Sequence, residues 1–477
     1  MTDESYEKYR QDRRLYWDRM AVMQDQFKAA AFYRRRLIEI YRSAIPPGKR
    51  VIEIGCGKGD LLAALDPSFG VGLDFSGSMI KKAQSNYPEL RFIVSDAHEI
   101  KTDDKFDYVI MSDLLNDLWD VQEVLEKIQL LTNPSSRIIV NFYSRVWQPP
   151  LTLVRWLGLA KPVLQLNWLT VEDVSALLEL TNYEPIHKWQ EILLPIAIPA
   201  LSHLSNRYLV KVWPFRAFAL TNFLVARPIK FGVSASQEKP LVSVIIPARN
   251  EEGNIPTILK RVPEMGAGTE LVFVEGHSQD NTYSAIEKAI QENLNRRCKL
   301  SRQQGKGKGD AVRFGFELAE GSVLMILDAD LTVPPESLPR FYDALVSGKG
   351  EFINGVRLVY PMEDRAMRFL NILGNRFFSL AFSWLLGQPI KDTLCGTKVL
   401  FRDDYNRIAE NRQYFGDFDP FGDFDLIFGA AKQNLKIVDL PVRYRERTYG
   451  STNIQRWTHG LLLLKMVAFA CRKLKFI

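Results

Sequence analysis

Short, almost wholly apolar runs alternate with helix-like segments twice along the chain. The first series comprises Arg50–Ile54, Gly70–Asp74, Arg91–Ser95, Tyr108–Met111 and Arg137–Phe142. Short runs without polar alternation predict strands buried on both faces, the habit of parallel sheets. Between them, Ser76–Tyr87 and Val121–Leu131 read as helices. A second series follows at Leu241–Pro247, Glu270–Val274, Ser322–Asp328 and Phe352–Val356. Both halves are therefore expected to be open, mostly parallel α/β sheets, which bind ligands at the carboxyl ends of their strands. The first ~45 residues predict helix, with Arg34-Arg35-Arg36 on a solvated face. The aromatic, proline-broken stretch Trp189–Pro214 predicts a helical insert before a last strand, Phe218–Ala226. A cap over an acceptor pocket and a segment lying on a membrane are the other readings of that stretch. Ile229–Pro240, with Gly, Ser, Gln and a closing Pro, reads as a linker. The boundary is placed so that residues 1–235 and 236–477 form two domains, each near the usual size limit of a single core.

Composition adds limits. At 46% apolar and 25% charged residues the chain is that of an ordinary globular protein. No uninterrupted apolar run reaches the ~18 residues of a spanning helix. The start, Met1-Thr2-Asp3-Glu4-Ser5, lacks the basic end and apolar core of a signal peptide, so a cytoplasmic protein is expected. The four cysteines (Cys56, Cys298, Cys395, Cys471) are scattered without C-x-x-C spacing, which predicts free thiols and no structural zinc. The net charge of +6 is local, since Arg443–Ile477 holds eight basic residues and one acid. Within it, Trp457–Ile477 carries Leu461–Leu464 and Met466–Ala470, interrupted by Lys465, and ends CRKLKFI. Such a segment suits the headgroup boundary of the inner membrane face, where each cation adds on the order of 1 kcal/mol. Its other reading is a soluble helix whose Leu face packs on its own sheet. Basic residues interleaved with a Leu run, and not with a stacking platform, disfavour a nucleic-acid partner.

In the first half, strand Arg50–Ile54 runs into Gly55-Cys56-Gly57-Lys58-Gly59 and then a helix near Asp60. Glycines there let the backbone turn tightly and approach a ligand at a helix N-terminus. The next strand ends in Asp74, placed to accept hydrogen bonds from ribose hydroxyls, and the third in Ser95-Asp96, placed for an adenine amine. The segment Val51–Phe142, with VIEIGCGKG, GLDFS, FIVSDAHEI and FDYVIMSDLL, resembles class I S-adenosylmethionine-dependent methyltransferases. The resemblance implies a Rossmann-like domain that binds S-adenosylmethionine through Gly55, Gly57, Gly59, Asp74 and Asp96, with Glu53 orienting the methionine ammonium. A base is needed only for a protonated acceptor. Asp113, Asp117, His98 and Tyr143 lie at or after strand ends, and no spacing singles one out. Asp113 and Asp117 read equally as helix caps, and His98 as a hydrogen-bonded loop residue.

In the second half three strand ends carry polar clusters: Pro247-Ala248-Arg249-Asn250-Glu251, Glu275-Gly276-His277-Ser278-Gln279-Asp280, and Asp328-Ala329-Asp330. Two hard carboxylates flanking one residue can share Mg²⁺ or Mn²⁺ with a diphosphate. From about Pro240 onward the chain resembles family 2 glycosyltransferases of the GT-A fold, and among them the dolichyl- or polyprenyl-phosphate sugar synthases. The matching segments are VSVIIPARNEEGNI, FVEGHSQDNT, GKGKGDAVRFGF, LDADLTVPPE, INGVR, DTLCGTKVLF and RERTYGSTN. That resemblance implies a nucleotide-sugar donor held by Pro247, Arg249, Glu251, Glu275, Asp280 and Asp328, and a metal on Asp328 and Asp330. It implies a cationic cluster of Arg357, Lys398 and Arg447 at an acceptor phosphate. Asp423 and Asp425 stand where relatives that glycosylate hydroxyls keep a base. The family's closing Ser-Lys is Ser451-Thr452 here, and Thr332 replaces a frequent Gln. The expected product is an inverted glycosyl polyprenyl phosphate, made at a membrane surface.

Overall fold

The computed structural model describes residues 3–22, 28–100, 102–156, 164, 166–229, 239–357, 359–360, 369–412, 422–447, 449 and 456–476. A first compact unit runs to Ile229, and a second spans Lys230–Lys475. The 235/236 boundary and the Ser451-Thr452 motif fall outside the described residues.

The first unit is built on seven strands: β1 (Arg50–Ile54), β2 (Phe69–Asp74), β3 (Arg91–Val94), β4 (Phe106–Ser112), β5 (Thr132–Tyr143), β6 (Tyr183–Glu191) and β7 (Thr221–Pro228). Their order is β3-β2-β1-β4-β5-β7-β6. Strands β1 to β5 are parallel, and β7 runs antiparallel to both β5 and β6. Because successive side chains point to opposite faces, Ile52 and Val109 enter one core and Val51, Tyr108 and Ile110 the other. Each fully buried Val or Ile there contributes roughly 1.5–3 kcal/mol. The order reverses between β1 and β4, and the glycine turn follows β1 at that switch point. The predicted helix at Ser76 starts at Gly77, with the Ser76 hydroxyl capping Met79 N at 3.2 Å. The stretch after β6 is a mixture of one helix, Leu201–Arg207, and two 3₁₀ turns.

The second unit also has seven strands: β8 (Val242–Ala248), β9 (Thr269–Glu275), β10 (Arg297–Arg302), β11 (Val323–Ile326), β12 (Phe352–Val356), β13 (Lys398–Phe401) and β14 (Ile437–Pro441). The order is β10-β9-β8-β11-β13-β12-β14. The only reversed strand among them is β13, antiparallel to β11 and β12. Both folds are thus α/β, with sheets more mixed in direction than the apolar runs predict. The helices Phe369–Leu386 and Arg456–Ala470 pack together over one face. Leu463, Met466 and Ala470 enter the core there beside Phe382 and Leu385, while Leu461 and Leu464 face outward. The Leu-rich segment therefore has a packed face and an exposed one. Among the described residues no helix is long and apolar enough to cross a membrane.

Candidate functional sites

In the first unit, Gly59 sits at φ 80° as the residue before helix Asp60–Ala64, and a Cβ there would lie 2.7 Å from the Phe92 ring. Gly57 has open space where a Cβ would project. Its N–H donates to Asp74 Oδ2 at 2.9 Å, and Ser76 N–H donates to Asp74 Oδ1 at 2.9 Å. The Asp74 carboxylate thereby ties the glycine turn to the end of β2. Burial pushes its pKa up to about 6. Glu53 is buried with Oε2 unpartnered, and burial, with Asp74 and Asp60 nearby, raises its carboxyl well above the usual range. A buried carboxylate oxygen without a donor is costly unless a ligand supplies one. An ammonium would do so, and the open side of Gly57 leaves room for its carrier. These residues fit S-adenosylmethionine.

Asp96 accepts from His98 N–H at 2.9 Å, contacts His98 Nδ1 at 2.8 Å and lies 3.5 Å from Arg10 Nε. Burial raises this carboxyl, but the His98 bonds and the Arg10 charge outweigh it and hold it below the ordinary value. His98 Nε2 accepts from Asp120 N–H at 3.3 Å, so the imidazole is a satisfied loop residue. Neither Asp113 nor Asp117 caps a helix, which corrects that reading. The cap of helix Val121–Lys127 is Asp120. Asp113, at φ 54° just past β4, accepts from Tyr33 Oη at 2.9 Å and from Asn141 Nδ2 at 2.5 Å. Burial pushes its pKa up to about 7. Tyr143 lies beside it, its ring 6.2 Å from that of Tyr33. Asp117 is held by Arg13 Nε and Trp17 Nε1, both at 2.8 Å.

Those last contacts come from the N-terminal helix Asp3–Val22, whose part in the site the sequence reading missed. Its Asp18 accepts from the Ser76 hydroxyl at 2.5 Å, and its Arg10 reaches Asp96 and Glu99. A cavity of about 770 Å³ lies between this helix and the ends of β2 and β3, lined in part by Arg10, Arg14, Phe75, Ile93 and Asp96. Arg36, expected on a solvated face, instead pairs with Glu39 and Glu191.

In the second unit, Asp328 and Asp330 follow β11 at its carboxyl end. Lys308 Nζ stands 2.6 Å from Asp328 Oδ1. Burial would raise the Asp328 carboxyl, yet Lys308, then Lys398 and Arg357, outweigh it and keep it low. Gly396 leaves no room for a Cβ, which would overlap both Asp328 Oδ2 and Lys308 Nζ. Asp330 Oδ1 accepts from Thr332 N–H at 3.1 Å and from its hydroxyl at 2.8 Å. Arg447 Nη2 donates to Asp330 Oδ2 at 2.7 Å, while Nη1 lies 3.5 Å from Glu251. Burial pushes Glu251 up to about 7. The structure thus joins Glu251, Asp330 and Arg447 into one cluster, with Asp328 on the same strand end paired to Lys308 at the start of helix Lys308–Leu318.

The other predicted residues are placed differently. Glu275 is buried and accepts from Ser278 N–H at 2.5 Å, and Asp280 from Thr282 N–H at 3.1 Å, so both order their own loop. Arg249 is exposed beside Gly276, and Pro247 is half-buried in β8. The expected cluster of cations at a phosphate is changed by their partners. Arg357 forms a two-pronged pair with Asp392, at 2.7 and 2.8 Å. Lys398 is fully buried against Asp423 at 3.2 Å. Asp425 faces Arg313 at 3.5 Å and Arg412 at 3.7 Å. Lys308 and Asp392 were given no role by sequence reasoning, although both lie in segments that carry the resemblance.

Two hard carboxylates, one held ionised by Lys308, fit a divalent cation that takes its other ligands from a diphosphate. Among the described residues no group of three or more His, Cys, Asp or Glu side chains is disposed to hold a metal.

Residues 45–181 match the family model of a methyltransferase domain, and residues 243–409 that of glycosyl transferase family 2. A yeast dolichol-phosphate mannosyltransferase is 37% identical over 108 residues, 22% of this chain and 40% of that protein. The undecaprenyl-phosphate 4-deoxy-4-formamido-L-arabinose transferase of Pseudomonas aeruginosa is 33% identical over 216 residues, 44% of this chain and 60% of that protein. The chain therefore spans less than two thirds of the length of either relative. Among solved structures, the magnesium protoporphyrin IX methyltransferase of Synechocystis, with bound S-adenosylhomocysteine, superimposes with a TM-score of 0.35 at 16% identity. It covers 46% of this chain and 99% of its own.

Proposed function

Because this chain joins a methyltransferase domain to a family 2 glycosyl transferase domain, we propose that it is a bifunctional enzyme of lipid-linked glycan assembly. The second unit transfers a sugar from a nucleotide-sugar donor to a polyprenyl phosphate with inversion. The first unit methylates an acceptor with S-adenosylmethionine. Serving one glycolipid pathway is the reason for their linkage.

The observation that supports the sugar transfer best is the charged constellation at the end of β11. Asp328 and Asp330 would hold Mg²⁺ or Mn²⁺, which when bound offsets charge on the departing diphosphate. Lys308 keeps Asp328 ionised and Arg447 orients Asp330, and their positive charge faces the region where phosphate oxygens must pack. A phosphate monoester is an anionic nucleophile at neutral pH and needs no base. That agrees with Asp423 and Asp425 being engaged in ion pairs with Lys398, Arg313 and Arg412. The rival, a hydroxyl acceptor with Asp425 or Asp423 as base, differs in its mutational pattern. Asp425→Ala is expected to retain transfer within about tenfold, while Arg447→Ala loses about 10²–10³-fold in kcat. The reverse order in steady-state rates would establish the hydroxyl acceptor.

In the first unit, Glu53, Gly55, Gly57, Gly59, Asp74 and Asp96 would hold S-adenosylmethionine, which supplies an electrophilic methyl. Asp113 would accept the proton that an N–H or O–H acceptor gives up on methylation. Tyr33 and Asn141 keep Asp113 aimed. Ionised Asp113 is disfavoured by burial, so the folded pKa is raised. Its stabilising contribution is full below the unfolded value near 4 and is lost as pH rises through about 7. Asp113→Asn is therefore expected to raise the thermal midpoint of the methyltransferase unit at pH 8 and leave it unchanged at pH 4, by calorimetry on the full chain. A midpoint lowered at pH 8 would remove the poised-base role.

Exposed Phe377 and Leu380 on helix Phe369–Leu386, and Leu461, Leu464 and Lys465 on Arg456–Ala470, support membrane attachment through the second unit. These residues would hold the enzyme peripherally on the cytoplasmic face, where the polyprenyl phosphate lies.

A further inference from the structure

The segment between β6 and β7 of the first unit leaves an unusual set of side chains in solvent. Trp213 is 75% exposed, Phe218 61% and Leu204 51%. Next to them lie the 3₁₀ turn Arg145–Trp147 and the helix Gln148–Trp156, joined by a hydrogen bond from Trp147 Nε1 to the Phe218 carbonyl at 2.9 Å. Trp156 on that helix is 80% exposed. Single exposed apolar residues are ordinary, but several large ones concentrated in one short segment mark a binding surface.

Its position is fixed by the sheet. Tyr143 at the end of β5 pairs with Thr221 at the start of β7, and Ser144 N–H donates to the Leu220 carbonyl at 2.8 Å. Thr221 Oγ1 lies 3.3 Å from Tyr33 Oη, the hydroxyl that donates to Asp113. The apolar rim thus grows from the same carboxyl edge that holds the Asp113 pocket.

Charge selects the occupant. From Ile192 to Ile229 the sequence contains no Asp or Glu, while it contains His203, Arg207, Lys211, Arg216 and Arg227. Lys211 and Arg227 pair inward with Glu191 and Glu184. Arg216, like Arg145 on the neighbouring turn, is exposed at the rim. Tryptophan and phenylalanine bordered by cations, in a segment that itself carries no acid, match the boundary between acyl chains and anionic headgroups.

We propose that this rim docks the methyltransferase unit on an anionic bilayer surface. A methyl acceptor carried on a lipid would then reach the Asp113 pocket from the bilayer side, a consequence that rests on the methyltransferase reading.

The test uses the full chain with Cys298 and Cys471 replaced by Ser and an environment-sensitive nitrobenzoxadiazole label on Trp213→Cys. Vesicles of phosphatidylcholine with about one third phosphatidylglycerol are added. The label is expected to brighten at least about twofold with a blue shift. The same label on Leu130→Cys, exposed in the turn before β5 at the opposite sheet edge, is expected to stay unchanged. An unchanged Trp213 label would overturn the proposal, whether or not the chain pellets with vesicles. So would an equal response to pure phosphatidylcholine, or to unlabelled chain without lipid, which would assign the rim to self-association. The double variant Trp213→Ser/Phe218→Ser is expected to lower vesicle partition about tenfold while S-adenosylmethionine binding persists. Persistence of that binding separates failure of the docking from failure of the methyltransferase reading.

Discussion

Replacing Asp330 by asparagine is expected to lower kcat for sugar transfer by about 10²–10³-fold while the fold is kept. The carboxylate has two duties that an amide cannot perform. Its Oδ2 accepts the Arg447 guanidinium at 2.7 Å, and its Oδ1, oriented by Thr332, would share the proposed cation with Asp328. Asparagine keeps the size and the Thr332 bond but supplies no negative charge. Arg447 still has Glu251 at 3.5 Å, so no guanidinium is left without an acid. The effect should therefore appear in turnover and in the concentration of Mg²⁺ needed, with circular dichroism and the unfolding midpoint little changed. A variant with wild-type turnover would exclude Asp330 from the diphosphate site.

The second large effect concerns the cofactor. Asp74→Ala is expected to weaken S-adenosylmethionine binding by about 10²-fold in calorimetric titration, the loss expected if the carboxylate accepts from the ribose hydroxyls as proposed. The same carboxylate holds Gly57 and Ser76, so the glycine turn also loses its anchor. pH gives an independent readout. Burial raises the folded Asp74 pKa to about 6, so ionising it costs stability as pH rises from near 4 through about 6. Ribose hydroxyls donate best to the ionised form, hence cofactor affinity rises over that window. Affinity at pH 5 is expected to be about tenfold below that at pH 7, and the stabilisation of the unit by a fixed cofactor concentration correspondingly smaller. Affinity independent of pH between 5 and 7 would detach Asp74 from the ribose.

The central strands were legible because burial on both faces removes polar residues from them: β1, β2, β8 and β12 stand where the apolar runs put them. Strands β6, with sequence YEPIHKWQE, and β10, with RCKLSR, were not, since edge strands with one solvated side keep polar residues and even a proline. Strand β13 has four residues, too few for a periodicity, and its reversed direction depends on which neighbour it joins. At the sites, residues adjacent in sequence, such as Asp328 with Asp330 or the three glycines, were readable as pairs or turns. Partners distant in sequence were not. Arg357 meets Asp392 over 35 residues and Arg447 meets Asp330 over 117, and such ion pairs exist only after the sheet has formed. The N-terminal helix shows the same limit. Its Arg13 and Trp17 look like an ordinary solvated face until Asp117, about 100 residues later, is placed against them.

The assignment of the second unit as a polyprenyl-phosphate glycosyltransferase meets its most direct test in one incubation. The full chain, Mg²⁺ and a short polyprenyl phosphate are mixed with a panel of nucleotide sugars, and the extracted lipid is weighed by mass spectrometry. One donor is expected to yield a glycosyl polyprenyl monophosphate, lost on chelation of the metal and in Asp330→Asn. Absence of a glycosylated lipid with every donor, from protein that still binds a nucleotide sugar, would contradict the assignment.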